Sequence, residues 1–203
     1  MNDTPGDTIS EIIRKNLTDQ IIRGELKPDE KLRQDHIAKE FNTSHVPVRE
    51  ALLRLEARGL AISEPRRGVR VAPFSPEDIF EIRAMRLALE PLALRQAVPN
   101  ATRADLKRIR EAQEACDAAE DLLTWEQANR AFHREILAPS AMPRLLATIE
   151  TLEVLSARHF LRTWRLRFVQ RKDRDHAAIV TAMVRKEADT AVLVLQRHLQ
   201  RMG

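Results

Sequence analysis

Apolar residues recur at helical spacing from near the start of the chain: Ile9, Ile12, Ile13, Leu17, Ile21 and Ile22 share one face, and Gly24 stops the run. A first helix is predicted over residues 8–23. After a polar turn from Glu25 to Glu30, Ile37, Ala38 and Phe41 mark a short second helix. Asn42 to Ser44 form a tight polar joint, and Val46 to Arg58 a third helix ended by Gly59. Two β-prone runs follow, Leu60 to Ser63 and Val69 to Ala72. Glu64, Pro65, Arg66, Arg67 and Gly68 lie between them, the pattern of a hairpin with a basic tip. This order of elements is a winged helix-turn-helix.

Pro73 interrupts the pattern and a new one begins. Ser75 is suited to cap a helix, Pro76 to its first position, and Glu77 and Asp78 to the positive end of its dipole. Apolar periodicity then predicts six helices, at about 76–97, 103–120, 122–137, 143–168, 172–186 and 190–202. Pro99, Asp121, Pro139, Pro143, the charged stretch near Arg171, and Asp189 separate them. Pro91 falls inside the first and is expected to kink or split it. The expected fold is mainly α, with a winged helix-turn-helix DNA-binding domain over residues 1–73 and a six-helix antiparallel bundle over 74–203.

Composition narrows the class. Aromatic residues make up 4% of the 203, with no Tyr, while Ala, Leu, Arg and Glu dominate, which favours helices over sandwiches or barrels. A chain of this length buries a core without disulfides. Cys116 is the sole cysteine, so neither an intrachain disulfide nor a cysteine-rich zinc motif is available, and a reducing compartment is expected. No apolar run approaches the roughly 18 to 20 residues that cross a bilayer. The opening residues, Met1 to Asp7, lack the basic and apolar regions of a signal peptide, so no membrane partner is expected. A net charge of +4 leans towards an anionic partner.

In a helix-turn-helix the second helix enters the major groove, so its first residues are short or polar and its inner face apolar. Ser44, His45, Val46 and Arg49 meet that demand ahead of Ala51, Leu52 and Leu55. Ser44 can cap the helix or donate to a phosphate. His45 and Arg49 can reach base edges or phosphates, and Val46 can meet a thymine methyl. Arg33, ahead of the short helix, is counted with them. Arg66 and Arg67, beside Gly68 at the hairpin tip, are placed to enter a minor groove. Each charged residue alone has a plainer reading, Arg49 in a solvated face with Glu50, Arg54 and Glu56, and Arg66 and Arg67 in a soluble turn. Their conjunction carries the expectation of double-stranded DNA as partner.

In the bundle, Asn129 and His133 lie four apart on one predicted helix and share a face, a spacing that can offer two ligands to one ion. His176 near the start of the fifth bundle helix and His198 near the end of the sixth meet if those helices pack antiparallel. Three imidazoles and an amide suit zinc, nickel, manganese or a similar divalent ion. Spacing alone leaves open the plainer reading of surface or satisfied core histidines, to which His159 is assigned. Arg158, Arg162, Arg165, Arg167, Arg171, Lys172 and Arg174 read as a solvated helix face and receive no site.

Lys31-Leu32, Ile37-Ala38, Ser44, Pro47-Val48-Arg49-Glu50-Ala51-Leu52 and Leu55-Glu56-Ala57-Arg58-Gly59-Leu60 resemble the winged-helix domain of the GntR family of bacterial transcription regulators, over most of residues 8–72. That family usually has arginine directly after the serine that opens the recognition helix, and the resemblance implies that it reads a guanine. This chain has His45 instead, which is shorter, mostly neutral near pH 7, and unable to make arginine's bidentate fork. An altered operator is expected.

Arg86-Leu87-Ala88-Leu89-Glu90, Asn129-Arg130-Ala131-Phe132-His133, Asp175-His176 with Ile179 and Ala182, and His198-Leu199 resemble the FCD effector domain of the FadR subfamily, over roughly residues 74–202. In its metal-binding members, three histidines and an acidic residue four before the first hold a metal at the floor of a ligand pocket. By that resemblance His133, His176 and His198 are the imidazole ligands. Asn129 stands where aspartate is commoner, and its neutral amide lowers affinity for the ion. The helix count is similar to the shorter, VanR-type branch.

Arg86 is the candidate for gripping an effector carboxylate while the metal holds the other end, with an intrahelical pair to Glu90 as its plainer reading. The combined expectation is a sequence-specific regulator of the bacterial cytoplasm, nucleoid-associated when on DNA. It is read as a homodimer on a palindromic operator, and as a repressor released by a small organic acid. Two other readings compete with it. A metal-dependent enzyme lacks a His-Glu-x-x-His helix or nucleophile motif. A helical DNA-binding or interaction module without a ligand needs a filled bundle interior.

Overall fold

The computed structural model describes residues 6–164, 169 and 172–202. It divides into two compact units, Met1–Ser75 and Pro76–Gly203. In the first, α1 (Ile9–Arg23), α2 (Gln34–Glu40) and α3 (His45–Ala57) precede β1 (Ala61–Glu64) and β2 (Gly68–Val71). Thr8 caps α1 by accepting the Glu11 amide, and Gly24 ends it at φ +73, its own amide donating to the carbonyls of Gln20 and Ile21. Ile13, Leu17 and Ile21 of α1, Val48, Ala51, Leu52 and Leu55 of α3, and Leu60 and Val71 by the hairpin are almost completely buried. Each such Ile, Leu or Val contributes roughly 1.5–3 kcal/mol. The strands pair antiparallel from Ala61 opposite Val71 to Glu64 opposite Gly68. Lys31 adds an isolated bridge to Arg70, a rung no pattern predicted because a single bridge has no alternation to read.

The second unit contains α4 (Pro76–Asn100), α5 (Arg103–Ala118), α6 (Leu122–Leu137), a 3-10 turn (Ala138–Ser140), α7 (Pro143–Trp164), α8 (Arg174–Val184) and α9 (Ala188–Met202). Local chemistry starts these helices. Thr102 and Asp105 form a capping box at α5, Asp121 caps α6 through the Thr124 amide, and Asp173 caps α8 through the amides of Asp175 and His176. The predicted helix over 143–168 is described as far as Trp164. Its positions 165–168, and with them Arg165 and Arg167, lie outside the described residues, as does Arg171.

Pro99 departs from expectation, and of the two outcomes expected at Pro91 the split is not realised. Pro91 does not split its helix: α4 continues through it with Pro91 buried, because packing against α7 and α9 outweighs the one lost hydrogen bond. Pro99, expected to end the helix, lies within its last turn. There the missing N–H costs one bond near an end that frays in any case. Lys186, at φ +60, compensates: its Nζ donates to the carbonyls of Val98, Pro99 and Ala101 at 3.0, 3.3 and 2.5 Å.

Leu94, Ile109, Phe132, Ile136, Ile149, Ile179 and Leu195 fill the interior, and Cys116 is fully buried with them. Among the described residues no helix is long and apolar enough to cross a membrane. Burial, aided by Asp117 and Asp173, pushes the Cys116 thiol up to about 12. The native protein is therefore expected to resist alkylation at neutral pH and to label once per chain in denaturant, as read by mass spectrometry. Fast labelling of the native state would contradict this packing.

Candidate functional site

Ser44 stands at the cap position of α3 with extended backbone, but its side chain makes no cap hydrogen bond. Of its two expected roles, capping is therefore not realised, and the hydroxyl remains available to an external acceptor. His45 opens α3 with its Nε2 3.5 Å from Asp35 Oδ1. Val46 is 67% exposed while Val48, Ala51, Leu52 and Leu55 are buried, so α3 shows one apolar side chain to solvent at its outer start. Arg33, preceding α2, and Arg49 on α3 are exposed and make no ion pair among the described residues. The same holds for Arg66, at φ +65 on the hairpin tip, and Gly68 follows at φ +78. Arg67 differs from the expected free basic tip: its Nη1 lies 2.6 Å from Glu64 Oε2, and its Nη2 3.9 Å from Asp29 Oδ2.

In the second unit, α6, α8 and α9 bring His133, His176 and His198 together. Their ring centroids lie 4.8 to 6.0 Å apart, and all three are at most 1% exposed. Each offers a nitrogen within 4.8 Å of the others'. His133 Nδ1 is 2.8 Å from Glu90 Oε2. With the Nδ1 proton donated to that carboxylate, the lone pair of Nε2 faces His198 Nε2 at 3.4 Å. On the opposite side His198 Nδ1 faces Asp175 Oδ2 at 3.7 Å and Asp173 Oδ2 at 3.8 Å, too far for a hydrogen bond, so that nitrogen has carboxylate charge nearby but no bonded partner.

His176 stacks on Phe132 with centroids 4.1 Å apart, and neither of its ring nitrogens has a hydrogen-bond partner. Burial, then His198 and His133, push its pKa well down. Burial also lowers that of His198, against the pull of Asp175. Both rings are neutral at neutral pH, the form that ligates. Asn129 Oδ1 is buried without a partner and lines the same small cavity as His133 and His198. Orphaned buried polar atoms cost about 1–3 kcal/mol each. Three convergent imidazoles, with an unpartnered amide oxygen on the cavity that two of them line, fit a divalent cation.

Arg86 lines that cavity too. Its Nε donates to Glu90 Oε1 at 2.6 Å and its Nη1 to Ser156 Oγ at 2.9 Å. The intrahelical pair with Glu90 is thus present, and Glu90 joins Arg86 to His133. Burial alone would raise the Glu90 carboxyl, but Arg86 and His133 bring it down to about 2. Arg130 and Glu126 form a second such pair at 2.7 Å. On α7, Glu153 is buried with Oε1 unpartnered, and burial followed by the charge of Glu90 pushes it up to about 8. Periodicity marked neither Glu126 nor Glu153 as a site residue, since glutamate on a helix reads as solvated. An arginine four residues from Glu126 was the one local signal. His159 lies half-buried on α7 with its Nε2 3.4 Å from Thr163 Oγ1.

Comparison with known proteins adds a separate line of support. Residues 9–71 match the profile of the bacterial regulatory proteins of the gntR family, and residues 81–201 that of the FCD domain. The HTH-type transcriptional repressor GlaR of Escherichia coli strain K12 is 30% identical over 195 residues, spanning 90% of this chain and 89% of that protein. The regulator McbR of the same strain is 34% identical over 145 residues, 70% of this chain and 66% of its own length. The solved structure of E. coli McbR/YncC superposes with a TM-score of 0.83 at 26% identity, covering 96% and 95% of the two chains.

A carboxyl held near 8 when folded and near 4.5 when unfolded binds its proton more readily in the native state. The associated stability is fully present below about pH 4.5 and is lost as pH rises through 8. In urea titrations with chelator present, the stability of metal-free wild type relative to Glu153→Gln is expected to fall as pH rises between these limits, while His176 and His198, whose lowered pKa values act in the opposite sense below about pH 6.5, cancel in the comparison. Equal slopes for the two proteins would refute the assignment.

Proposed function

Because this chain belongs to the GntR family of bacterial regulatory proteins and carries an FCD domain, it is a DNA-binding transcriptional regulator and not an enzyme, and we propose that it is a homodimeric repressor that leaves its operator when a small carboxylic acid binds above the histidine cluster. The observation that carries the proposal is the convergence of His133, His176 and His198, two of which line, with the partnerless Asn129, a cavity that Arg86 also lines.

On the DNA side, Ser44, His45, Val46 and Arg49 read the major groove, Arg33 adds a backbone contact, and Arg66, Arg67 and Gly68 follow the minor groove. Arg33, Arg49 and Arg66 are the cheapest to engage, since no carboxylate has to be displaced. Arg67 must exchange Glu64 for phosphate. The exposed Val46 supports an apolar contact to a thymine methyl. Two-fold symmetry of the protein is matched by a palindromic operator.

On the effector side, His133, His176 and His198, with the amide of Asn129, would hold a divalent ion such as zinc, nickel or manganese. When bound, the ion supplies a Lewis-acidic anchor for a carboxylate oxygen. Arg86, with Ser156 beside it, takes the effector's remaining charge by sharing its guanidinium between Glu90 and the ligand. Such a ligand lowers operator affinity by as much as it prefers the DNA-incompetent arrangement. The name of the relative GlaR, a repressor, supports the sign.

Metal analysis of untagged protein purified without chelator is expected to find about one ion per chain, lost in His133→Ala and held more tightly in Asn129→Asp. Carboxylates should then release a selected operator duplex from the wild type, and Arg86→Met should blunt that release about tenfold or more. Protein that takes up no divalent ion, with an operator complex indifferent to every carboxylate, would overturn the proposal. On the DNA side, Arg49→Ala is expected to weaken operator binding by about tenfold or more, as read by fluorescence anisotropy at fixed salt.

A further inference from the structure

The cavity at the histidine cluster is small, about 30 Å³, roughly the share of one water molecule. A larger one of about 280 Å³ lies beside it, between the end of α6, the 3-10 turn and the first half of α7. Leu137, Pro143, Leu146 and Ile149 give it an apolar wall, and Leu137 and Ile149 are buried. Glu153 lines both cavities. Glu153 is 4% exposed, the one buried charged-type side chain on the lining of the second cavity, and its Oε1 has no hydrogen-bond partner. A buried carboxyl without partners is costly, and a ligand head that bonds to it offsets that cost.

We propose that this second cavity is a binding site for a small uncharged molecule with an apolar body and a hydroxyl or primary-amide head, the head meeting Glu153. The lining offers an ion of either sign no net attraction: Arg134 and Glu150 carry one charge of each sign, and Glu153 keeps its proton at neutral pH. A hydroxyl or amide both donates and accepts, so it satisfies Glu153 with or without its proton. The body gains by covering Leu137, Leu146 and Ile149. The occupant would touch the same carboxyl that stands near Glu90 and His133, which places it one side chain from the histidine cluster. The site does not depend on the metal reading, because its lining contains none of the proposed ligands.

Hexan-1-ol serves as the probe, titrated into methyl-labelled full-length protein with chelator present, alongside hexanoate and hexylamine. Saturable shifts centred on Leu137, Leu146 and Ile149 are expected with the alcohol. Ala147→Phe fills the cavity from its exposed wall and is expected to weaken binding by about tenfold or more. Glu153→Leu should weaken it by about tenfold, and Glu153→Gln should retain it. If Glu153→Leu fails to fold, Ala147→Phe decides alone, since the buried core is untouched by it. Shifts that do not saturate, an Ala147→Phe variant that binds as the wild type does, or tighter binding of either ionic probe would overturn the proposal.

Discussion

Glu90 sits in the middle of α4 with no exposure, and an ionised carboxylate at that depth needs a partner for each oxygen. Arg86 takes Oε1 and His133 takes Oε2. Much of the effector domain's chemistry follows from that requirement. The bond to Glu90 orients the His133 ring and turns Nε2 towards His198. The same carboxylate holds Arg86 along the cavity, with its remaining nitrogens free for Ser156 and for a ligand. The charge of Glu90 is also one reason why Glu153, across the bundle, keeps its proton. Removing one partner of such a group costs far more than the pair contributes, because the remaining charge stays buried.

The winged-helix unit follows the opposite rule. Its functional surface is what the core leaves outside: α3 buries Val48, Ala51, Leu52 and Leu55 and leaves Ser44, His45, Val46 and Arg49 to solvent. No buried network is needed there, since DNA supplies the compensating charge on contact. Arg67 shows the intermediate case, an exposed basic side chain held by Glu64 at 2.6 Å. The exchange of one exposed partner for another costs little in water.

The two cavities of the bundle divide along the same line between charge and apolar surface. One is walled largely by ionisable side chains, among them Arg86, paired with Glu90, and Arg130, paired with Glu126. The other is walled by leucine, isoleucine and proline, and the two share Glu153. In the readings proposed above, an effector of mixed character meets charged anchors in the first, and an uncharged one meets hydrophobic area in the second. A side chain common to both walls gives their occupants a route to influence one another.

The amino-acid sequence by itself determined the helices, the caps of α1, α5, α6 and α8, the hairpin and the pairing of Asn129 with His133 on one face, though not the cap that Ser44 could have made on α3. These depend on neighbours within four residues and on the preferences of Gly24, Thr102, Asp121 and Asp173 for particular backbone positions. Resemblance to a family extended the reading to the three histidines as a set. Tertiary structure decided what no local pattern encodes. It brought His176 and His198 to His133, and it carried α4 through Pro91 and Pro99. It also tied Arg67 to Glu64, and it buried Glu90, Glu126 and Glu153 where helix periodicity reads solvent. The reason is physical: a helix repeat tells which residues share a face, but charge, protonation and ligand geometry are set by distance and burial, and these depend on side chains scores of residues apart.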